Sequence, residues 1–353
     1  MNINEKFLKH FGMAASTSAS APGRVNLIGE HIDYNGGTVL PTAINNQIHV
    51  AISPNASETV AIYSTRYENE IKRDIESEAN GHWSDYIIGA LQRSFKNDWI
   101  PLGLNIAIDS EIPDGAGVSS SAALITAIFR AVSSYSNLNL EPKTIAHMAR
   151  AVENEYCGVP CGIMDQMAVN LSNYREALML NTTNFETSVI AIPDEWEFVV
   201  IHSGVHRKLT DGRYAERFNE CAEIKDILAS QDLCSNSFSA AKLRPLPKNL
   251  AKRYNHIQSE HQRVLSAVTA LKNNNMETFG ILMNESHQSY SKDFEASTDQ
   301  IDHLVRDAQS CGAVGARLTG GGFGGCIVCL LPKEKKTNWV QLLTNRNPET
   351  WVV

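Results

Sequence analysis

A run of small residues, Gly115-Ala116-Gly117-Val118-Ser119-Ser120-Ser121, joins an alternating apolar segment to a helix-forming one, and this junction constrains the fold more than any other feature. Upstream, Leu102, Leu104, Ile106 and Ile108 recur with a period of two, which predicts a half-buried strand. Downstream, residues 122 to 132 contain neither glycine nor proline and predict a helix. The loop therefore sits at the positive end of that helix, where unpaired N–H groups attract anions. Gly115 and Gly117 permit backbone angles that a Cβ opposes. The serine hydroxyls can then bond phosphate or ligate magnesium; the plainer alternative is a serine-capped helix after a tight turn.

At 353 residues the chain exceeds the size at which single cores stop growing, which predicts two packed domains. The change of domain is placed near residue 190, giving 1–190 and 191–353. Hydrophobic residues at 43% and charged residues at 20% describe an ordinary globular protein. No apolar run is long enough to span a bilayer and Met1 to Lys6 lack a signal-peptide core, so a cytoplasmic protein is expected. The net charge of −8, with scattered basic residues, argues against nucleic acid and membranes as partners and leaves small molecules. A monomer is the default expectation for its assembly. Seven cysteines read as free thiols in a reducing compartment. Cys326 and Cys329 lie in an apolar strand-like run, where positions three apart point to opposite faces, so they read as structural.

Beyond the predicted strand Trp196 to His202, helices are expected over 214–229, 276–289 and 299–310. Another is expected around Ile257, Val264, Leu265, Val268 and Leu271, which recur at helical spacing. A strand over 316–319 enters a further glycine loop and leaves as the strand 326–331. Strands flanking paired helices predict an α+β domain of ferredoxin-like character. Lys333 to Lys336 read as a solvated loop.

Three more constellations carry chemistry. In residues 21–37 an apolar strand ends in Glu30, His31 and Asp33, groups able to hold neighbouring hydroxyls of a sugar, although a polar hairpin turn explains the composition equally. Residues 153–166 place Asp165 just after a Gly/Pro-broken loop; it reads as a helix cap or as a functional acid, and Glu153 as an exposed helical glutamate or a ligand. Residues 318–325, Leu318-Thr319-Gly320-Gly321-Gly322-Phe323-Gly324-Gly325, formally match G-x-G-x-x-G. They open onto a strand instead of a helix, so a dinucleotide site is not expected there.

Taken together, GRVNLIGEHIDYNGG at 23–37, GAGVSSSAAL at 115–124, CGIMDQ at 161–166 and LTGGGFGG at 318–325 closely resemble the galactokinase family. That family sits within the superfamily of galactokinase, homoserine, mevalonate and phosphomevalonate kinases. The resemblance implies an α+β, two-domain sugar kinase with an N-terminal domain like ribosomal protein S5, a ferredoxin-like C-terminal domain and an active site in the cleft between them. It implies ATP- and Mg2+-dependent phosphorylation of the anomeric hydroxyl of galactose. Carried over by position, Glu30, His31, Ile32, Asp33, Gly162 and Tyr214 resemble the sugar contacts. Gly115, Ala116, Gly117, Val118, Ser119, Ser120 and Ser121 resemble the ATP phosphate loop. Ser121 and Glu153 resemble the magnesium pair, Asp165 the catalytic acidic residue and Arg24 the cation beside the transferred group.

The match has departures. Ile32 stands where threonine is common, Val118 replaces leucine, and Arg213 and Phe218 flank Tyr214 where an acid and an arginine are common. The chain after Gly325 is also short. A kinase for N-acetylgalactosamine, galacturonate or arabinose is the alternative from within the superfamily. A catalytically silent galactose sensor is the alternative from outside enzymology.

Overall fold

The computed structural model describes residues 1–113, 115–205 and 212–353. The chain begins with α1 (Ile3–Phe11), β1 (Thr17–Asn26), β2 (Thr38–Val39), β3 (Pro41–Pro54), β4 (Thr59–Ser64) and β5 (Asn69–Asp74). It continues through α2 (Asp85–Phe95), β6 (Leu104–Ser110), α3 (Ser120–Tyr135), α4 (Pro142–Ala151), α5 (Met164–Leu171), β7 (Glu176–Asn181) and β8 (Thr187–Ala191). Then come β9 (Trp196–His202), α6 (Arg213–Leu228), α7 (Ala240–Leu243), α8 (Lys248–Lys272), α9 (Met276–Lys292) and α10 (Asp299–Ser310). The last elements are β10 (Gly315–Leu318), β11 (Cys326–Pro332), α11 (Lys336–Arg346) and β12 (Trp351–Val352).

Contacts divide the chain into two compact units. The first comprises Met1–Arg24, Ile44–Pro113 and Ser119–Leu171; the second comprises Val25–Ala43, residues 115–118 and Ser172–Val353. This grouping draws its last line at residue 171 instead of near 190, because β8 pairs with β7 and β7 with β2 inside the second unit. Two early stretches, the one bearing Glu30 to Asp33 and the first half of the phosphate loop, belong to that unit as well.

In the first unit β3, β6, β4 and β5 lie side by side in that order, with β1 also paired to β3. The β4–β6 pair is parallel, and its registers Ile62↔Ile106 and Ser64↔Ile108 fall on the alternating residues of the sequence pattern. Helix α1 closes one region of this unit by packing Ile3 and Phe7 against Ala51 and Ala107. Helices α2, α3, α4 and α5 pack together. Along α3, Ala122 to Phe129, Ala131 and Val132 are all buried, the all-round apolar character of a core helix.

In the second unit β10, β11, β9 and β12 form an antiparallel sheet in that order. Trp351 and Val352 supply its last strand against His202 and Ile201, so the short tail after Gly325 still completes the sheet. Helix α9 packs on β10 and on α8, whose Ile257, Val264, Val268 and Leu271 are buried while Leu265 is exposed. Cys326 and Cys329 are buried in β11, and neither is in a disulfide. Lys333–Lys335 form a short 3-10 turn and Lys336 opens α11, so the charged stretch is solvated and helical where a loop was expected. Among the described residues no helix is long and apolar enough to cross a membrane.

Candidate active site

In the first unit the end of β1 carries Arg24, only 4% exposed, and the first turn of α5 carries Asp165. Arg24 Nε and Nη2 both donate to Asp165 Oδ1, at 2.9 and 2.6 Å. Asp165 Oδ2 accepts from Ser119 Oγ at 2.6 Å. Ser119 stands just ahead of α3 with φ +63 and makes no side-chain cap to that helix, so its hydroxyl serves the aspartate and not the helix end. Asp165 is thus both a first-turn acid and the centre of a charge-assisted cluster.

Two residues further on, Ser121 Oγ donates to Glu153 Oε1 at 2.6 Å. Glu153 is not an exposed helical glutamate. After α4 the backbone widens into a π turn, Val152–Tyr156, closed by Cys157 N donating to Val152 O at 3.0 Å; Glu153, in that turn, is buried. Burial, with the nearby charge of Asp165, pushes its carboxyl up to about 7 against the pull of Ser121, Gln166 and Arg24. A carboxylate so placed, with neutral donors on both oxygens, gains from an added cation.

Ser121 and Glu153 offer two hard oxygen donors, a set that suits Mg2+ where phosphate oxygens and water complete the octahedron. The observation that supports the fit is the buried Glu153 carboxylate, which meets only neutral donors, Ser121 on Oε1 and Gln166 on Oε2. Among the described residues no three His, Cys, Asp or Glu side chains are grouped to hold a metal by themselves.

The phosphate loop alternates left-handed and ordinary backbone angles, with φ +67 at Gly115, +73 at Gly117 and +63 at Ser119. Such alternation turns successive N–H groups toward one side and makes an anion-binding concavity. Within the second unit the loop 320–325 lies against its backbone. A Cβ on Gly320, itself at φ +82, would stand 2.9 Å from Gly117 O, and one on Gly325 would stand 3.2 Å from Ala116 O. The glycines of the third loop therefore allow two main chains to touch. Gly320→Ala is expected to cost about 1–3 kcal/mol through backbone strain and overpacking. It should also weaken nucleotide affinity, as calorimetric titration with an ATP analogue would read; unchanged affinity would detach the two loops.

The residues expected to clamp a sugar divide by burial. Glu30, 1% exposed, accepts from Arg317 Nη1 at 3.1 Å and from Gly320 N at 2.9 Å, both on Oε1. His31, buried and at φ +58, bonds Tyr34 through Nδ1 at 2.6 Å and Tyr290 through Nε2 at 2.9 Å. The Tyr290 hydroxyl donates to Gly320 O at 2.8 Å, so it accepts from His31 Nε2–H and leaves Nδ1 to accept from Tyr34. Burial holds the Tyr34 phenol well above its ordinary pKa, in keeping with a hydroxyl that keeps its proton to donate. Ile32 is wholly buried and packed close to Gly37. Asp33 opens a 3-10 turn and Tyr214 sits in the first turn of α6, its ring 5.3 Å from that of His31; both are half-buried. Gly162 is buried in the loop before α5, in the first unit.

The structure therefore gathers Arg24, Ser119, Asp165, Ser121 and Glu153 in one unit, and Glu30, His31, Ile32, Asp33 and Tyr214 around a buried network in the other. Sequence reasoning passed over Gln166, Arg317, Glu260 and Tyr290, which support these groups. Gln166 and Arg317 lie inside or beside the quoted motifs; Glu260 and Tyr290 stand on long helices with nothing local to mark them.

Residues 5–54 match the galactokinase galactose-binding signature, residues 75–173 the N-terminal domain of GHMP kinases and residues 267–338 their C-terminal domain. A curated galactokinase of Glaesserella parasuis serovar 5 is 37% identical over 343 residues, covering 94% of this chain and 89% of that protein. One of Actinobacillus pleuropneumoniae is 37% identical over 342 residues with the same coverage. A crystal structure of Lactococcus lactis galactokinase complexed with galactose matches with a TM-score of 0.91 at 29% identity, covering 99% of this chain and 96% of that one. A mevalonate kinase at 22% identity, covering 95% and 97% of the two chains, shares the fold with a TM-score of 0.70.

Proposed function

The chain belongs to the galactokinase family and phosphorylates galactose, and from that premise we propose that the phosphoryl group passes from ATP to the anomeric C1 hydroxyl with Asp165 as proton acceptor. The observation that carries this reading is the Arg24–Asp165–Ser119 cluster beside the Ser121–Glu153 pair. Phosphoryl transfer asks a protein mainly to position reactants and neutralise charge. The bond between the C1 oxygen and the γ-phosphorus forms, the bridging oxygen–γ-phosphorus bond breaks, and the hydroxyl proton goes to Asp165.

Arg24 and Ser119 occupy only part of the four lone-pair positions of that carboxylate, so it can still accept from the attacking hydroxyl. Their contacts fix its orientation before the sugar arrives. Arg24, always charged and carrying five donors, favours the anion and can meet a γ-phosphate oxygen. Residues 115–121 cradle the phosphates through their backbone N–H groups. Glu30, His31, Ile32, Asp33, Gly162 and Tyr214 form the sugar contacts, Glu30 and Ile32 by shaping the wall and Asp33 and Tyr214 by hydrogen bonds. Each hydroxyl inverted or missing in a competing sugar leaves one such group unpaired, at about 1–3 kcal/mol. Ser121 and Glu153 would hold Mg2+, which supplies charge neutralisation at the phosphates.

The intact serine loop argues against a silent sensor, since Ser119 and Ser121 each commit a hydroxyl to a functional carboxylate. Seven cysteines with no disulfide among them fit a reducing, cytoplasmic setting. The test is purified protein with Mg-ATP and a panel of sugars, following ADP release. Galactose should give the highest kcat/KM; turnover on N-acetylgalactosamine, galacturonate or arabinose alone, or on no sugar, would overturn the reading.

A further inference from the structure

Glu153 holds its place through two neutral donors, one on each oxygen. Ser121 takes Oε1, and the side-chain amide of Gln166, the third residue of α5, donates to Oε2. Gln166 is only 1% exposed. Its amide oxygen has no partner among the described residues, an arrangement that buried side chains kept for packing rarely show. The remaining neighbour of its nitrogen is Cys161 Sγ at 3.6 Å, a weak acceptor, so the strong use of the amide is the carboxylate.

The final torsion of a glutamate side chain is broad, so one donor leaves the carboxylate free to swing. A second donor on the other oxygen fixes its plane. Residue type matters here as much as reach. Lysine or arginine at 166 would neutralise the anion and repel an incoming cation, and a carboxylate would add repulsion. An amide orders Glu153 while leaving its negative charge unspent. Arg24, the guanidinium within range, is turned toward Asp165 by two hydrogen bonds.

We propose that Gln166 is a positioning residue for the divalent-cation site: its amide nitrogen holds the Glu153 carboxylate in the orientation in which that carboxylate and Ser121 bind the metal that accompanies the nucleotide. The inference rests on the assignment of Ser121 and Glu153 as the metal pair. Outer groups that orient metal ligands commonly change metal affinity by about 10- to 100-fold when removed.

The test is the ratio of dissociation constants for the non-hydrolysable analogue AMP-PNP, measured by calorimetry without and with Mn2+, which reports the contribution of protein–metal contacts apart from turnover. Glu153→Gln should collapse this ratio toward one. Gln166→Met, close in shape but without the donor, should lower it about 10-fold, with galactose affinity unchanged. Gln166→Asn, whose amide is drawn back by one methylene, should show the same loss if the methionine variant does not fold. The double variant Gln166→Met/Glu153→Gln should equal Glu153→Gln alone, since a residue acting through Glu153 has nothing left to orient, whereas an independent structural role predicts additive losses. A collapsed ratio in Glu153→Gln with a wild-type ratio in both Gln166 variants would overturn the role of Gln166 alone. A wild-type ratio in Glu153→Gln would overturn the metal pairing and this inference with it.

Discussion

Asp165→Asn is expected to lower kcat about 10²- to 10⁴-fold, the usual worth of a positioned proton acceptor, while galactose and nucleotide affinities stay close to wild type. The substitution preserves shape. The asparagine oxygen can still accept from Arg24, and its NH2 group then faces Ser119 Oγ, which can turn to accept, so the loop ahead of α3 keeps its anchor. What disappears is the negative charge and the ability to take a proton. The effect should therefore fall on kcat, with binding spared, as expected for an interaction made chiefly in the transition state. Coupled ADP-release kinetics together with calorimetric binding would separate the two, and near-normal turnover would remove Asp165 from its role.

Arg317→Met should destabilise the protein by about 3–5 kcal/mol, because removing one partner of a buried ion pair strands the other. Arg317 is fully buried, 3.1 Å from Glu30 Oε1 and 3.9 Å from Glu260 Oε1. Glu260 also accepts from Gly29 N at 2.9 Å, Ser286 Oγ at 2.6 Å and Arg263 Nε at 2.8 Å. Burial alone would raise the Glu260 carboxyl. Arg263, His256, Arg317 and Ser286 outweigh it and hold the pKa down at about 2.

A carboxylate with a lowered folded-state pKa contributes stability that is present above the ordinary carboxylate range, about 4.3, and is lost as pH falls toward the folded value near 2. Loss of the Arg317 charge raises that folded value and narrows the window. Arg317→Met should thus retain a smaller Glu260 contribution at pH 7, one that still begins to fade at about pH 4.3 but is exhausted at a higher pH than in wild type. Urea unfolding at pH 7 and along an acid series reads both; a loss under about 1 kcal/mol at pH 7 would mean that the carboxylates find other partners or water.

How far the sequence foretold this arrangement depends on the range of the interactions involved. Helix α3, strand β6 and strand β11 could be read directly, since local periodicity and a lack of breakers are properties of neighbouring residues. The burial of Glu153 could not, because a π turn is a one-residue misfit with no compositional mark, and an acid after a long helix is ordinarily exposed. The third glycine loop was legible as unusual but not as to purpose. Its close approach to Gly117 is a contact across some two hundred residues that no local pattern encodes. Arg317, in the apolar run ahead of that loop, gives no sign that it is a fully buried cation, since the acids that satisfy it are on β1's trailing segment and on α8. Lys333 to Lys335 show the reverse case, where charge was read correctly as solvated and the short turn beneath it was hidden.

Which galactose oxygen receives the phosphoryl group beside Asp165 decides the proposed mechanism, and product spectroscopy with galactose labelled at C1 with carbon-13 reads this directly. The phosphorus-31 spectrum after incubation with Mg-ATP should show a galactose phosphate resonance coupled to the labelled carbon, and that signal should fade with Asp165→Asn. A sugar phosphate without coupling to labelled C1, or an undiminished signal from the asparagine variant, would contradict it.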